Sequence, residues 1–369
     1  LLPPHALRDS ATSKPSVTLA QKVAFLERGA AYGDASALVV SRETHMSWIF
    51  LVGEKAYKLK KPVRFPYLDF SSRQKRHAAC VSELMLNRRL ASDVYERVAP
   101  LYLNAGRLSL IGGDEIVDWL VVMRRLDESQ TLEQRLHTRT LSTSDLDPLI
   151  DRLSRFYRRA VPISLPPPLL QFHWQRSLND NRKVLLKPNL PLSEALVRRI
   201  DRAQQQFLLK GYRLLAQRVH SHSIVDGHGD LRPEHIWLQP TVRIIDCLEF
   251  NHQLRTVDPL DEIAFLCVEC DRIGDARFGQ YIKRRMLPLR AASALEPLFT
   301  FYRCYRATLR ARLAIAHLLE PRPRTPEKWP RLAGRYLDLA LADARRLECM
   351  LAQPVATEGL SYPQRHHNG

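Results

Sequence analysis

Long apolar runs are missing. Nothing in the 369 residues approaches the about eighteen consecutive apolar positions that a membrane-crossing helix requires, so no membrane partner is expected. The opening stretch LLPPHALRDSATSKPSVTLAQ lacks the basic start, apolar centre and small-residue cleavage site of a secretory signal. Glycine is scarce, at 14 residues, and none spells G-x-G-x-x-G or G-x-x-x-x-G-K-[ST]. A glycine-rich phosphate loop and a P-loop are both excluded. The six cysteines are scattered, at 80, 247, 267, 270, 304 and 349, which points to reduced core thiols and a cytoplasmic protein, not a disulfide framework. Cys267 and Cys270 form a CxxC with no second pair. Zinc needs four ligands, so this reads as a buried thiol pair. There is no internal repeat and no extended low-complexity segment. Acidic residues are also few, at 39 Asp and Glu against 56 Lys and Arg, for a net charge of +17. The excess arginines are spread over many helical stretches and form no arm or tail, and the aromatic-and-basic signature of an RNA-binding sheet is absent. Nucleic acid is therefore not expected as a main partner.

What is present divides into two kinds of pattern. Residues 17–33 have the period of one amphipathic helix. Residues 37–62 alternate as successive antiparallel strands with a turn at Gly53-Glu54. Ser71 to Ala91 reads as a helix with Ser71 or Ser72 as its N-cap, and strand-like VAPLYL, RLSLI and IVDWLVVMRRL follow. Beyond Asp127 the period becomes helical: Thr131–His137, Asp145–Ala160, Leu192–His220, Pro259–Ile273, Ala291–Leu319 and Pro326–Ala352, with PISLPPPLL and KPNLPLS as connectors and a short two-strand insertion at HIWLQPTVRIIDC. The expected class is α+β with two lobes. The parts are an N-terminal extension with one helix (1–35), a small antiparallel-sheet N-lobe with one helix (36–127), a larger helical C-lobe (128–352) and a disordered tail (353–369).

The segment VDGHGDLRPEHIWLQPTVRIIDCLEF carries the chemistry. Phosphoryl transfer needs a carboxylate to orient or deprotonate the acceptor, oxygen ligands for magnesium, and cations on the phosphates. Asp230 lies in a loop before the first short strand and Asp246 ends the second. A hairpin of that length is expected to bring both carboxylates to one cavity.

HGDLRPEHI followed by IIDCLEF resembles the catalytic and metal loops of the aminoglycoside phosphotransferase-like enzymes, a branch of the protein-kinase-like two-lobe fold. ETHMSWIFLVGEKAYKLKKPV, SELMLNRRLASDVY and WLVVMRRLDESQTLEQRL resemble the first strands, lobe helix and hinge of a bacterial subgroup of unknown substrate. The matches span roughly residues 38–270. With no P-loop domain in the sequence, the resemblance is to the stand-alone form. It implies an ATP- and Mg²⁺-dependent phosphotransferase acting on a hydroxyl or amine of an unidentified small molecule. Asp230 matches the catalytic base and Asp246 the metal-binding Asp, and Glu83 matches the Glu that pairs with a strand lysine. That lysine is Lys60 or Lys58, which share a strand face, with Lys60 slightly preferred. Val122, Met123 and Arg124 fall in the hinge, whose backbone would bind adenine.

Two departures bear on the chemistry. Where the family usually has a metal-binding Asn, this chain has His235. Imidazole suits magnesium poorly, so Glu249 or Asn251 would have to supply an oxygen, or one metal suffices. Without a glycine loop, the THMSW turn would have to cover the phosphates. His228 is read as a structural hydrogen-bonding residue, and His235 as that or a ligand. Arg232 is open between phosphate or substrate contact and plain exposure. Asp258 and Asp261 are explained by helix capping. Arg303, Arg306 and Arg310, beside Tyr302 and Tyr305, read as a solvated face, with a border of the acceptor pocket as the alternative. His235 and the missing loop also keep open a nucleotide-binding pseudo-enzyme with a regulatory role. The positive excess favours a neutral or anionic acceptor over a polycation.

Overall fold

The computed structural model describes residues 17–65, 67–287, 292–321 and 323–352; the expected disordered tail lies outside them. The chain divides into two compact units. One comprises the residues up to Gln130 together with Arg243–Leu254, and the other comprises Thr131–Val242 and the residues from Arg255 onward. The segment 243–254, expected with the helical half, thus clusters with the sheet.

The first unit is a six-stranded antiparallel sheet. Its strands are β1 (Val39–Glu43), β2 (Ser47–Val52), β3 (Lys55–Lys60), β6 (Tyr95–Asn104), β7 (Arg107–Ser109) and β8 (Glu115–Arg124), in the order β1-β2-β3-β8-β6-β7. A small hairpin, β4 (Arg64–Phe65) with β5 (Leu68–Asp69), follows β3 and was not foreseen. Phe50, Leu59, Leu101 and Leu120 form one apolar core layer of the sheet, onto which α1 (Leu19–Leu26) packs Val23 and Leu26. The helix expected to continue through Gly33 stops at Leu26. Arg28 is extended, the next turn is 3₁₀, and the Tyr32 hydroxyl donates to the Leu26 carbonyl at 2.7 Å. This satisfies an acceptor that the helix end would otherwise leave open. On the other layer, α2 (Arg73–Ala91) is capped by Ser72, whose hydroxyl accepts from the Lys75 N–H. Asp118 of β8 ties both helices to the sheet. It pairs with Lys22 of α1 at 2.7 Å and with two guanidinium nitrogens of Arg76 of α2, each at 2.9 Å.

The second unit is helical. Its elements are α3 (Leu132–His137), α4 (Asp147–Arg159), α5 (Pro167–Leu185), α6 (Glu194–Lys210), α7 (Tyr212–His220), α8 (Pro259–Ile273), α9 (Ala276–Met286), α10 (Ala292–Ala316) and α11 (Lys328–Ala352). Short strands β9 (Val225–Asp226) and β12 (Thr256–Val257) pair antiparallel. Strand β10 (Ile236–Trp237) belongs to this unit, while β11 (Arg243–Ile244) lies in the first. Three helix expectations are corrected. The helix predicted over 192–220 is two, because the chain turns at Gly211, where an added Cβ would meet the Phe207 ring at 2.7 Å. Helix α5 begins inside the PISLPPPLL connector and continues through residues that were left unassigned. Its prolines sit in the first turn, where the missing N–H costs nothing and φ is already helical. Helix α9 was not foreseen. Among the described residues no helix is long and apolar enough to cross a membrane.

Candidate functional site

In the first unit, five charged side chains form a chain of alternating sign. The Lys58 ammonium donates to Asp246 Oδ1 at 2.9 Å and to Glu83 Oε1 at 2.8 Å, and Lys60 donates to Glu83 Oε2 at 2.6 Å. Lys60 also donates to Glu249 Oε1. Glu83 thus gives one oxygen to each lysine. Strand alternation puts both lysines on the same face of β3, opposite the α2 residue that serves them. Burial alone would push the Glu83 carboxyl up, but the two lysines outweigh it and hold the group below its ordinary range. Glu249 pairs with Lys60, but burial, aided by the Glu83 charge, outweighs the two lysines and raises its carboxyl. The chain opens outward: the Lys60 and Glu83 side chains are 1% and 0% exposed, Lys58 14% and Asp246 45%. Asp246 has φ +63°, a left-handed conformation that Asp tolerates better than most residues. The Tyr95 hydroxyl accepts from its N–H at 3.3 Å, and Asn87 Oδ1 accepts from the N–H of Cys247 at 2.9 Å.

In the helical unit, the loop around Asp230 is built on a buried carboxylate. Glu262 of α8 accepts from the backbone N–H of His228 at 2.9 Å and from that of Gly229, and the Tyr157 hydroxyl donates to it at 2.8 Å. Gly227 is required there, since a Cβ would meet Glu262 Oε2 at 2.7 Å. Arg232 donates to Asp230 Oδ2 at 2.8 Å and to Glu234. For the Asp230 carboxyl burial is the largest influence and raises it, yet Arg232, His235 and Arg310 together bring it below the usual value. His235 lies 3.0 Å through Nδ1 from the Asp230 carbonyl and 3.2 Å through Nε2 from Arg232. A guanidinium only donates and a carbonyl only accepts. Nδ1 therefore carries the hydrogen, and the Nε2 lone pair is taken by Arg232.

No protein-family model matches the chain. Uncharacterized proteins of Mycobacterium tuberculosis and Mycobacterium bovis are 31% identical over 290 residues, 76% of this chain, and the chain spans 56% of their length. Among solved structures, a mutant aminoglycoside 2′-phosphotransferase IIIa in complex with GDP is similar at TM-score 0.54 and 14% identity, covering 91% of this chain and 100% of that one. Choline kinase from Cryptosporidium parvum is similar at TM-score 0.53 and 11% identity, covering 89% and 95%. A choline/ethanolamine kinase family protein from Mesorhizobium loti gives 0.50 and 13%, covering 91% and 95%. The chain has the aminoglycoside-phosphotransferase-like kinase fold.

On this kinase-like fold several site residues take other places than expected. His235 is engaged at both ring nitrogens, with Arg232 at Nε2 and the Asp230 carbonyl at Nδ1, an arrangement that leaves it structural and not a metal ligand. Glu249 is committed to Lys60. Among the described residues no three His, Cys, Asp or Glu side chains gather as a metal cluster. Magnesium nevertheless fits Asp246, since this ion keeps several waters and is commonly held by one or two carboxylates plus substrate phosphates. Val122, Met123 and Arg124 lie inside the sheet, between β3 and β6, and the N–H of Arg124 already donates to the Val94 carbonyl at 2.8 Å. The THM turn between β1 and β2 is pinned, with the Thr44 hydroxyl accepting from the Ser47 N–H at 2.9 Å and His45 stacked on Phe65.

The arginines of α10 are not a solvated face. Arg306 is buried and bidentate to Asp261 at 2.6 and 2.7 Å, while Arg303 joins Asp271 and Asp343 at 2.7 and 3.1 Å. Arg310 meets Glu269 at 2.7 Å. Asp258 does cap α8, but it also takes a bidentate Arg218, and Asp261 is an ion-pair partner, not a cap. The CxxC cysteines are free and buried. Sequence reading missed Glu262, Asn87 and Tyr95. Only Asn87 had a signal, four residues beyond Glu83 on the same helix face.

Proposed function

We propose that the protein is an ATP-dependent phosphotransferase that phosphorylates a hydroxyl or amine of a small molecule. The observation that carries this reading is the Glu83–Lys58–Asp246 chain, on a fold shared with kinases of aminoglycosides and choline. Lys58, the outer lysine, is the one to meet nucleotide phosphate, in place of the initially preferred Lys60. Asp246 holds magnesium, which when bound would neutralise charge on the phosphates. The backbone of Leu126 and Asp127, just past Arg125, whose N–H donates to the Glu54 carbonyl at 2.8 Å, takes the adenine contact in place of Val122–Arg124. Asp230, kept ionised by Arg232, orients the acceptor and takes its proton. Such assistance is typically worth about 10²–10⁴-fold in rate.

Asp230→Asn should keep Mg·ATP affinity and lose that order of turnover, while Asp246→Asn should lose metal-dependent ATP binding as well as turnover. Calorimetric binding and steady-state rates on a metabolite screen with labelled ATP check both. Normal Mg·ATP binding by Asp246→Asn, or wild-type turnover by Asp230→Asn, would sink the assignment. The occupied His235 favours a second reading, a nucleotide-binding pseudo-enzyme. It is the reading that survives if nucleotide binds but no acceptor gains phosphate.

A further inference from the structure

We infer that Lys60 and Glu249 are a buried strut that positions Asp246 for the metal, and that neither residue touches the nucleotide. The inference rests on the proposed nucleotide site and adds to it a division of labour between two lysines.

The Lys60 ammonium is saturated. It has Glu83 at 2.6 Å, Glu249 in hydrogen-bond contact and the Phe70 ring centroid 5.0 Å away, and its side chain is 1% exposed. A phosphate could reach it only by displacing a buried carboxylate. Glu249 is 8% exposed and lies three residues beyond Asp246, in the same short loop. The loop is held at its start by Tyr95 and Asn87 and at its end by Lys60. Between these anchors Asp246 keeps its left-handed backbone, a conformation that lasts only where the surroundings over-determine it. Replacing a buried ion pair with apolar side chains of similar volume is often neutral or stabilising. The charges of Lys60 and Glu249 are therefore explained by orientation better than by stability. Groups that orient a metal ligand typically change metal affinity about 10–100-fold when lost, and Lys60 and Glu249 act on Asp246 through the backbone of the loop they anchor.

The test compares three variants of the full chain: Lys58→Met, the twin Lys60→Met/Glu249→Met, and Glu249→Gln. ADP binding is followed by calorimetry across a Mg²⁺ titration, beside a thermal melt. The twin variant keeps Glu83 paired with Lys58 and should still fold, though with a lower melt where the second Glu83 oxygen loses Lys60, and it should need about tenfold more Mg²⁺ for half-maximal ADP binding. Lys58→Met should lose ADP affinity even without metal. If the twin variant does not fold, the near-isosteric Glu249→Gln decides, again through a raised Mg²⁺ requirement. An unchanged Mg²⁺ requirement overturns the strut. So does a loss of metal-free ADP binding that falls on the twin variant and not on Lys58→Met. Failure of the wild-type chain to bind ADP under any condition overturns the nucleotide site itself, a separate result.

Discussion

Asp230 is held ionised by a set of cationic neighbours led by Arg232. Burial raises its carboxyl, and the Arg232 guanidinium is the foremost of the charges that reverse this. A carboxylate with a lowered folded pKa contributes stability above its unfolded value, near 3.9, and loses it as pH falls through the folded value. The Asp230–Arg232 pair therefore persists through neutral and mildly acid conditions. Replacing Arg232 with Gln leaves burial unopposed by its charge, so the acid limb of the kcat/KM profile should move to higher pH. A limb that stays in place would assign that titration to another group. The pairing of Glu83 with the strand lysines was legible in the sequence, because a helix glutamate and a strand lysine recur there in a motif with chemical purpose. The choice between Lys58 and Lys60 was not, since both share a strand face. The preference for Lys58 rests on the Asp246 carboxylate, which meets it from 188 positions away. His235 was likewise undecidable until the guanidinium at its Nε2 could be seen.

At the scale of elements, the strands were readable because alternation and turn residues agree with one another. In the helical half, α8 was read at its bounds, with a cap at Asp258 opening it, whereas α9, capped by Asp275, was not foreseen. Helix α5 escaped because proline marks both a helix start and a connector. The split at Gly211 escaped because only the Phe207 ring reveals it. The arginines of α10 were misjudged because helical spacing cannot say whether carboxylates on α8 and α11 await them. Arg306 illustrates the consequence. It sits over the Phe265 ring, 4.9 Å from its centroid, and pairs with Asp261, which is 3% exposed. Arg306→Met should cost about 3–5 kcal/mol by stranding that carboxylate, and adding Asp261→Leu should recover much of the loss. Urea melts of the single and double variants measure both. A single variant within about 1 kcal/mol of wild type would return Arg306 to the surface role first read from its spacing.

For the whole molecule, the notable fact is that the sheet unit is discontinuous in sequence. Residues 243–254 complete it, supplying Ile245 and Phe250 to its apolar clusters and two of the three carboxylates that meet Lys58 and Lys60. A fragment of residues 17–130 should therefore melt lower and less cooperatively than the same fragment with 243–254 joined by a flexible linker. Circular dichroism melts compare the two, and equal melting would show that the segment is only an attachment. The same discontinuity sets a clock on the ribosome. At about 5–20 residues per second, roughly 10–40 s separate the emergence of Lys60 from that of Glu249, 189 positions later. Through that interval the nascent sheet carries two lysines with a single glutamate between them. A chain broken off before residue 246 would hold all six strands of the sheet and still lack the two carboxylates that meet Lys58 and Lys60 from the later segment, so the charge balance of the sheet waits on residues made long after its strands.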